Sequence, residues 1–297
     1  MKVNENLSVI TSFNERMFRN PHQQITECMN KFNFDLPFYV YHENSYDKRK
    51  FNTEINLEKL GQNCTPVDLF DCWQEFSNLD NSWLEEFVDS DSSPFNAGTG
   101  MWNLNAKYWF RKVAAWYHFS RICKTKYFLW LDSDITYVKR RPKHDKTNKS
   151  VGIDSQFFNF IKDYDTCFID RPLRQKGEHP GFVGSPPETG IVTFDLENSD
   201  VVDFIDAIFH LFVGGKIFTD EPRWDDTWAF GKTFNNHFKD KLSWGVFNNK
   251  STSKDLSNSA DSKISEFDIY NDYFHHFKNN IDIRMLPHER IQLPKDT

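Results

Sequence analysis

The sequence has little of what marks secreted, membrane or nucleic-acid-binding proteins. Its 297 residues include no run approaching the roughly 18 apolar residues that cross a bilayer. The 5 cysteines are an odd number without paired C-x-x-C spacing, which predicts free thiols in a reducing compartment. A net charge of -7 disfavours nucleic-acid binding through a broad basic surface. Residues 1–15 have no apolar core of a signal peptide, so we expect a cytoplasmic protein with no membrane span and no nucleic-acid partner.

The amino-terminal part of the chain predicts an α/β protein. Residues 7–13 and 36–41 are apolar enough for strands, and residues 21–34 have helical periodicity between them. A strand, helix and strand in this order predict a parallel sheet with a right-handed crossover. Residues 105–124 and 199–213 carry broad apolar stripes at helical spacing, so we expect helices there as well.

The most informative segment is residues 127–138, which read YFLWLDSDITYV. Its first five residues are apolar or aromatic without alternation, as in a strand buried on both faces of a parallel sheet. Asp132 and Asp134 follow, two residues apart, so an extended backbone places both carboxylates on one face and Ser133 on the other. Such a pair is costly in a poorly hydrated site unless a cation neutralises it. The pattern favours Mg²⁺ or Mn²⁺ with coordination positions left for phosphates.

A second acidic pair lies in residues 224–230, which read WDDTWAF. The sequence predicts that Asp225 and Asp226 stand at the amino terminus of a helix, where the helix dipole stabilises anions. A carboxylate there is a candidate general base for an acceptor hydroxyl. Capping of the helix is an equally good explanation of the pair.

A buried strand that closes in Asp-x-Asp, after an amphipathic helix and midway along the chain, resembles the metal-dependent, nucleotide-sugar glycosyltransferases of the GT-A fold. The resemblance implies a Rossmann-like α/β fold with a mixed, mostly parallel sheet flanked by helices. It implies transfer of a sugar from a Mn²⁺-bound or Mg²⁺-bound nucleotide sugar, with a UDP-sugar expected, to a hydroxyl acceptor such as a glycan.

The same resemblance implies the site residues. The metal ligands would be Asp132 and Asp134 with one of His275 and His276, of which we favour His276. Asp226, with Asp225 beside it, would be the base if the anomeric configuration inverts. The substrate-binding candidates are Thr11, Ser12, Phe13, Asn14, Arg111, Ser133, Glu188, Thr189, Gly190 and Lys278.

We expect residues 1–297 to form one domain of this kind. In this division residues 1–138 are the nucleotide-binding half and residues 139–247 the acceptor-side half. Residues 248–265 are a polar loop, and residues 266–297 close the metal site.

Two other classes of protein remain open at this point. The segment LDSDIT also matches the Asp-x-Asp-x-Thr signature of haloacid-dehalogenase-type phosphatases, in which Asp132 would be the phosphorylated nucleophile and Asp134 the acid/base. A complete β-α-β unit before Asp132 and a late acidic pair without a preceding apolar strand count against that class. A non-catalytic carbohydrate-binding protein would explain the 16% aromatic residues but not the acidic pairs. The donor sugar, acceptor, stereochemistry and oligomeric state stay open.

Overall fold

The computed structural model describes ten parts of the chain, which contain the elements that position the candidate site. These parts are residues 3–13, 36–60, 64–70, 106–133, 135–137, 155–169, 187–219, 221, 224–247 and 274–276. The helix predicted at residues 21–34 and the polar loop predicted at residues 248–265 lie outside them. No helix in these parts has the length and apolar character needed to cross a membrane.

The main sheet is mixed and mostly parallel. In spatial order its strands are β3 (Cys64–Asp68), β2 (Phe38–His42), β1 (Leu7–Ser12), β4 (Tyr127–Leu131), β7 (Glu188–Asp195), β6 (Thr166–Ile169) and β8 (Trp244–Val246). Strands β3, β2, β1 and β4 pair in parallel, and β6 pairs in parallel with β8. Strand β7 is antiparallel to both of its neighbours, β4 and β6. This sheet, flanked by helices, confirms the fold class predicted from the sequence.

A short second sheet joins two distant parts of the sequence. Strand β5 (Ile135–Tyr137) pairs with β9 (Phe274–His276) in antiparallel orientation. In this register Ile135 is opposite His276 and Thr136 is opposite His275. The backbone of the late histidine pair therefore lies beside the residues that follow Asp134.

The helices pack on the two faces of the main sheet. They are α1 (Asn44–Phe51), α2 (Ala106–Ile122), α3 (Ser155–Ile161), α4 (Ser199–Val213), α5 (Lys216–Thr219) and α6 (Asp226–Thr233). Two 3₁₀ turns (Val3–Glu5 and Leu57–Leu60) and a π-helical turn (Phe234–Phe238) complete the described elements. The helix predicted at residues 199–213 coincides with α4, and α2 is three residues shorter than predicted.

Strand β4 is buried on both faces, as the continuous apolar run predicts. Phe128 and Trp130 enter the core cluster that also contains side chains of α2, α4 and α6. Leu129 and Leu131 enter the opposite cluster, which contains side chains of α3. Because side chains alternate along a strand, Asp132 continues on the side of Phe128 and Trp130, toward α2.

Candidate active site

The polar groups of the candidate site gather where the parallel strands end. Strand β7 runs opposite to β1, β2 and β4, so its first residues lie at the same edge as the last residues of those strands. The Asp132 N–H donates to the Gly190 carbonyl at 2.8 Å, which extends the β4–β7 pairing by one residue. This carboxyl edge is the place where open α/β sheets bind ligands.

Lys112 of α2 lies at the centre of the described part of this edge. Its Nζ is 2.7 Å from Asp132 Oδ1 and 2.8 Å from Asp226 Oδ2, and it donates to Thr189 Oγ1 at 3.2 Å. The lysine side chain is 8% exposed, the Asp226 side chain 2% and the Asp132 side chain 27%. Lys112 therefore links the end of β4, the start of β7 and the start of α6.

Aromatic rings and carboxylates keep the Lys112 ammonium charged. Its Nζ lies 5.5 Å from the centroids of the Trp116 and Trp130 rings, within range of a cation–π attraction. Burial by itself lowers the pKa of Lys112, but the charges and hydrogen bonds of Asp132 and Asp226 raise it above its ordinary value. The side chain is therefore a fixed positive charge at physiological pH.

Hydrogen bonds also fix the orientation of both carboxylates. The Trp130 Nε1–H donates to Asp132 Oδ1 at 2.7 Å. The Thr189 hydroxyl donates to Asp226 Oδ2, and the hydroxyls of Thr189 and Thr227 lie 3.0 Å apart. Since Thr189 has one hydroxyl hydrogen and gives it to Asp226, the Thr227 hydroxyl is the donor of the second bond.

The two acids at the start of α6 have different surroundings. Asp225 is the N-cap residue, and its Oδ1 accepts a hydrogen bond from the Trp228 N–H at 3.0 Å. Asp226 is the first residue of the helix and contacts Lys112 and Thr189. The capping explanation therefore fits Asp225, and Asp226 contacts Lys112 and Thr189.

A second group of buried charges lies at the end of β2. Arg111 Nη1 is 2.9 Å from Glu43 Oε2, and both side chains are almost fully buried. The guanidinium also lies 5.8 Å from the centroid of the Phe70 ring. Arg111, the basic residue that the resemblance favoured for the donor, thus points to the Glu43 side of α2, and Lys112 reaches Asp132.

Asp47 of α1 belongs to this second group. Burial raises the pKa of its carboxyl to about 6. The charge of Arg111 acts in the opposite direction, Asp68 adds to the increase, and His42 lowers the pKa. The group therefore titrates between acidic and neutral pH.

Of the expected metal ligands, Asp132 is the one whose side chain lies in the described part of the chain. The Asp132 carboxylate is partly exposed at the edge of the sheet, as an oxygen ligand of Mg²⁺ or Mn²⁺ requires. Asp134 lies outside the described residues. The β5–β9 pairing places the backbones of His275 and His276 opposite Thr136 and Ile135, the residues that follow Asp134 in the sequence. Among the described residues no three His, Cys, Asp or Glu side chains converge on a position that would hold a metal.

The other predicted residues lie in several environments. The Thr11 hydroxyl is buried and has no hydrogen-bond partner among the described residues, while Phe13 packs in a core cluster. Ser133 and Glu188 are buried at the same edge. Asn14 and Lys278 lie outside the described residues. Ser12, the last residue of β1, is half-buried.

Sequence reasoning did not select Lys112, Thr227 or Glu43. For Lys112 a signal existed, because it precedes Trp116 by four residues and Phe119 by seven, the spacing of one helix face. A lysine inside the apolar face of a helix is therefore positioned for burial and needs a counter-charge. No comparable signal marks Thr227 or Glu43.

Comparisons with known proteins yield structural neighbours only. No family profile matches the sequence, and no curated protein matches it. Mouse xyloside xylosyltransferase 1 in its apo form is 13% identical, with a TM-score of 0.45 over 82% of this chain and 85% of that chain. The glycosyltransferase GlyE of Streptococcus pneumoniae TIGR4 is 12% identical, with a TM-score of 0.40 over 82% of this chain and 45% of that one.

A third neighbour is core-mannan synthase A from Aspergillus fumigatus in a Mn/GDP form. It is 9% identical, with a TM-score of 0.45 over 77% of this chain and 69% of that chain. All three neighbours are named as sugar-transferring enzymes or synthases. These TM-scores and identities are low, and a shared fold does not by itself imply a shared function.

Proposed function

We propose that the protein is a metal-dependent glycosyltransferase that moves a sugar from a nucleotide sugar to a hydroxyl acceptor. The observation that carries this proposal is the bridge from Lys112 to Asp132 and Asp226 at the carboxyl edge of the sheet. The bridge joins the carboxylate expected to hold a metal and the carboxylate expected to act as base. Transfer of a sugar from a nucleoside diphosphate needs both functions close together.

The first function is to hold the diphosphate of the donor. Asp132 and Asp134, with His276 or His275, would bind Mn²⁺ or Mg²⁺. When bound, the metal would neutralise charge on the departing nucleoside diphosphate, a contribution of several kcal/mol. The hydrogen bond from Trp130 and the contact with Lys112 restrict Asp132 to one orientation before any ligand arrives.

The second function is proton removal from the acceptor. Asp226 would accept the proton of the acceptor hydroxyl as that oxygen attacks the anomeric carbon, if the configuration inverts. Lys112 and Thr189 hold Asp226 Oδ2, so the carboxylate has a fixed position at the start of α6. If the configuration is retained, Asp226 would orient the donor or the acceptor instead. The donor we expect is a UDP-sugar, and the acceptor a glycan.

Calorimetric binding of UDP with and without Mn²⁺ tests this proposal. We expect the wild type to bind UDP only in the presence of Mn²⁺, and Asp134→Asn to lose that binding. GDP, measured in parallel, tells whether the donor carries another base. Absence of binding for both nucleotides, together with binding of beryllium fluoride, would overturn the proposal in favour of the phosphatase chemistry described above.

A further inference from the structure

Each N–H group of the Lys112 ammonium has an acceptor within hydrogen-bond distance. The side chain has three N–H groups, and three acceptors lie within 3.2 Å of its Nζ, namely Asp132 Oδ1, Asp226 Oδ2 and Thr189 Oγ1. One positive charge therefore serves two carboxylates, one at the rim of the site and one inside it. A ligand that binds Asp132 in place of the lysine leaves Lys112 with Asp226 and Thr189 as partners.

The two carboxylates differ in their dependence on Lys112. Asp226 is 2% exposed, and Lys112 is its one cationic partner among the described residues. A buried carboxylate that loses its cation strongly destabilises the fold. Asp132 is 27% exposed, so water can solvate it, or a metal ion neutralise it, in place of the lysine. The lysine is therefore the exchangeable partner of Asp132 and the required partner of Asp226.

We propose that the Lys112 ammonium neutralises Asp132 in the metal-free protein, and that a divalent metal displaces it from this carboxylate. Asp226 and Thr189 then retain the displaced ammonium. This inference rests on the proposed metal site. An ammonium and a divalent cation on the same carboxylate repel each other, because both are positively charged and close together. Lys112 thus lowers the metal affinity of the free protein, and metal binding strengthens the contact between Lys112 and the proposed base.

Direct Mn²⁺ binding to the full chain without nucleotide, followed by the electron paramagnetic resonance signal of free Mn²⁺, tests the displacement. We expect Lys112→Met to bind Mn²⁺ about tenfold more tightly than the wild type, because no cation has to leave Asp132. Lys126→Met is the matched control. Lys126 pairs with Asp195 and Glu197 at the other end of β4, so this control removes the same charge and leaves Mn²⁺ affinity unchanged.

Equal or weaker Mn²⁺ binding by Lys112→Met would overturn the inference. A wild type that binds no Mn²⁺ at all would instead overturn the metal site of the proposed function, so the two failures can be told apart.

The stability of Lys112→Met gives a second readout. Without metal its two carboxylates lack their counter-ion, so we expect Mn²⁺ to raise its Tm more than it raises that of the wild type.

Asp226→Asn gives an independent test that leaves Lys112 in place. Among the described residues, Lys112 of this variant keeps Asp132 as its one anionic partner. We therefore expect weaker Mn²⁺ binding, although Asp226 is not a proposed ligand. Asp206→Asn, which removes an equal charge from the surface pair with Arg121, should have no effect. In the Lys112→Met background the effect of Asp226→Asn should largely disappear. An equal loss of affinity in both backgrounds would contradict the displacement.

Discussion

The buried carboxyl group of Asp47 makes the stability of the fold depend on pH. The residue is 4% exposed, and its pKa is raised from 3.8 to about 6, mainly by loss of hydration. A carboxyl group with a raised pKa in the folded protein stabilises the fold only while it is protonated. Its contribution is complete below pH 3.8 and is lost as the pH rises through about 6. Neutral and alkaline solutions therefore lower the free energy of unfolding, because the buried carboxyl is then ionised.

We predict that Asp47→Asn removes this part of the pH dependence. The free energy of unfolding of the variant should exceed that of the wild type by up to about 3 kcal/mol at pH 8, with the difference vanishing toward pH 4. Urea unfolding at several pH values measures the difference. Asp203→Asn, at an exposed position of α4, controls for the loss of one negative charge. A difference that stays constant from pH 4 to pH 8 would show that the pKa of the Asp47 carboxyl is not raised.

At the scale of elements, the start of α6 places two adjacent acids in different surroundings. The Asp225 side chain accepts the Trp228 N–H, while Asp226 faces Lys112 and Thr189. Adjacent helical positions point in different directions, so the two acids cannot exchange roles. Stability and turnover should therefore respond to different members of the pair.

We predict that Asp225→Ala lowers the free energy of unfolding by about 1 kcal/mol. Asp225→Ser should keep most of the wild-type free energy of unfolding, because serine is also a good N-cap residue. Asp225→Ser should keep its turnover, whereas Asp226→Asn should lose at least about a hundredfold in kcat if Asp226 is the base. Chemical unfolding and sugar transfer from the donor identified by the binding assay measure the two effects. A large loss of kcat in Asp225→Ser would reverse these roles.

The elements also show what local patterns predict. Residues 127–131 and 199–213 were predicted with the observed bounds, because a continuous apolar run and a helical stripe are signals within one segment. Helix α1, with the sequence NSYDKRKF, was missed because it has no apolar stripe. Its position depends on partners elsewhere, since Asn44 Nδ2 donates to the Ile55 carbonyl and the Ser45 N–H donates to Asp68 Oδ2.

The candidate site was predicted less completely than the sheet. The Asp-x-Asp segment predicts its location, because the end of a buried strand is where a ligand site is expected. The choice between Arg111 and Lys112 depends on which side of α2 faces β4, and that is set by packing of the whole helix on the sheet. The contact between Lys112 and Asp226 joins residues that are far apart in the sequence, so spacing alone does not reveal it.

At the scale of the whole molecule, chain direction brings the site together. Because β7 is antiparallel to β4, the start of β7 and the end of β4 meet, and Thr189 reaches Lys112. The β5–β9 pairing adds the late histidine segment at the residues that follow Asp134. The proposed metal site would then depend on a part of the chain that is remote in sequence from the Asp-x-Asp segment.

We predict that one of the variants His276→Ala and His275→Ala weakens Mn²⁺ binding at least about tenfold, and that the other has little effect. Adjacent residues of a strand face opposite sides, so only one of the two can reach the same ion. We expect the weaker binding in His276→Ala. His237→Ala, at an exposed position of the π-helical turn, is the control. Because only one of the two histidines is expected to be a ligand, the double variant should bind Mn²⁺ no more weakly than the single variant that has the lower affinity. Unchanged affinity in all of them would mean that the late segment pairs with β5 without contributing a metal ligand.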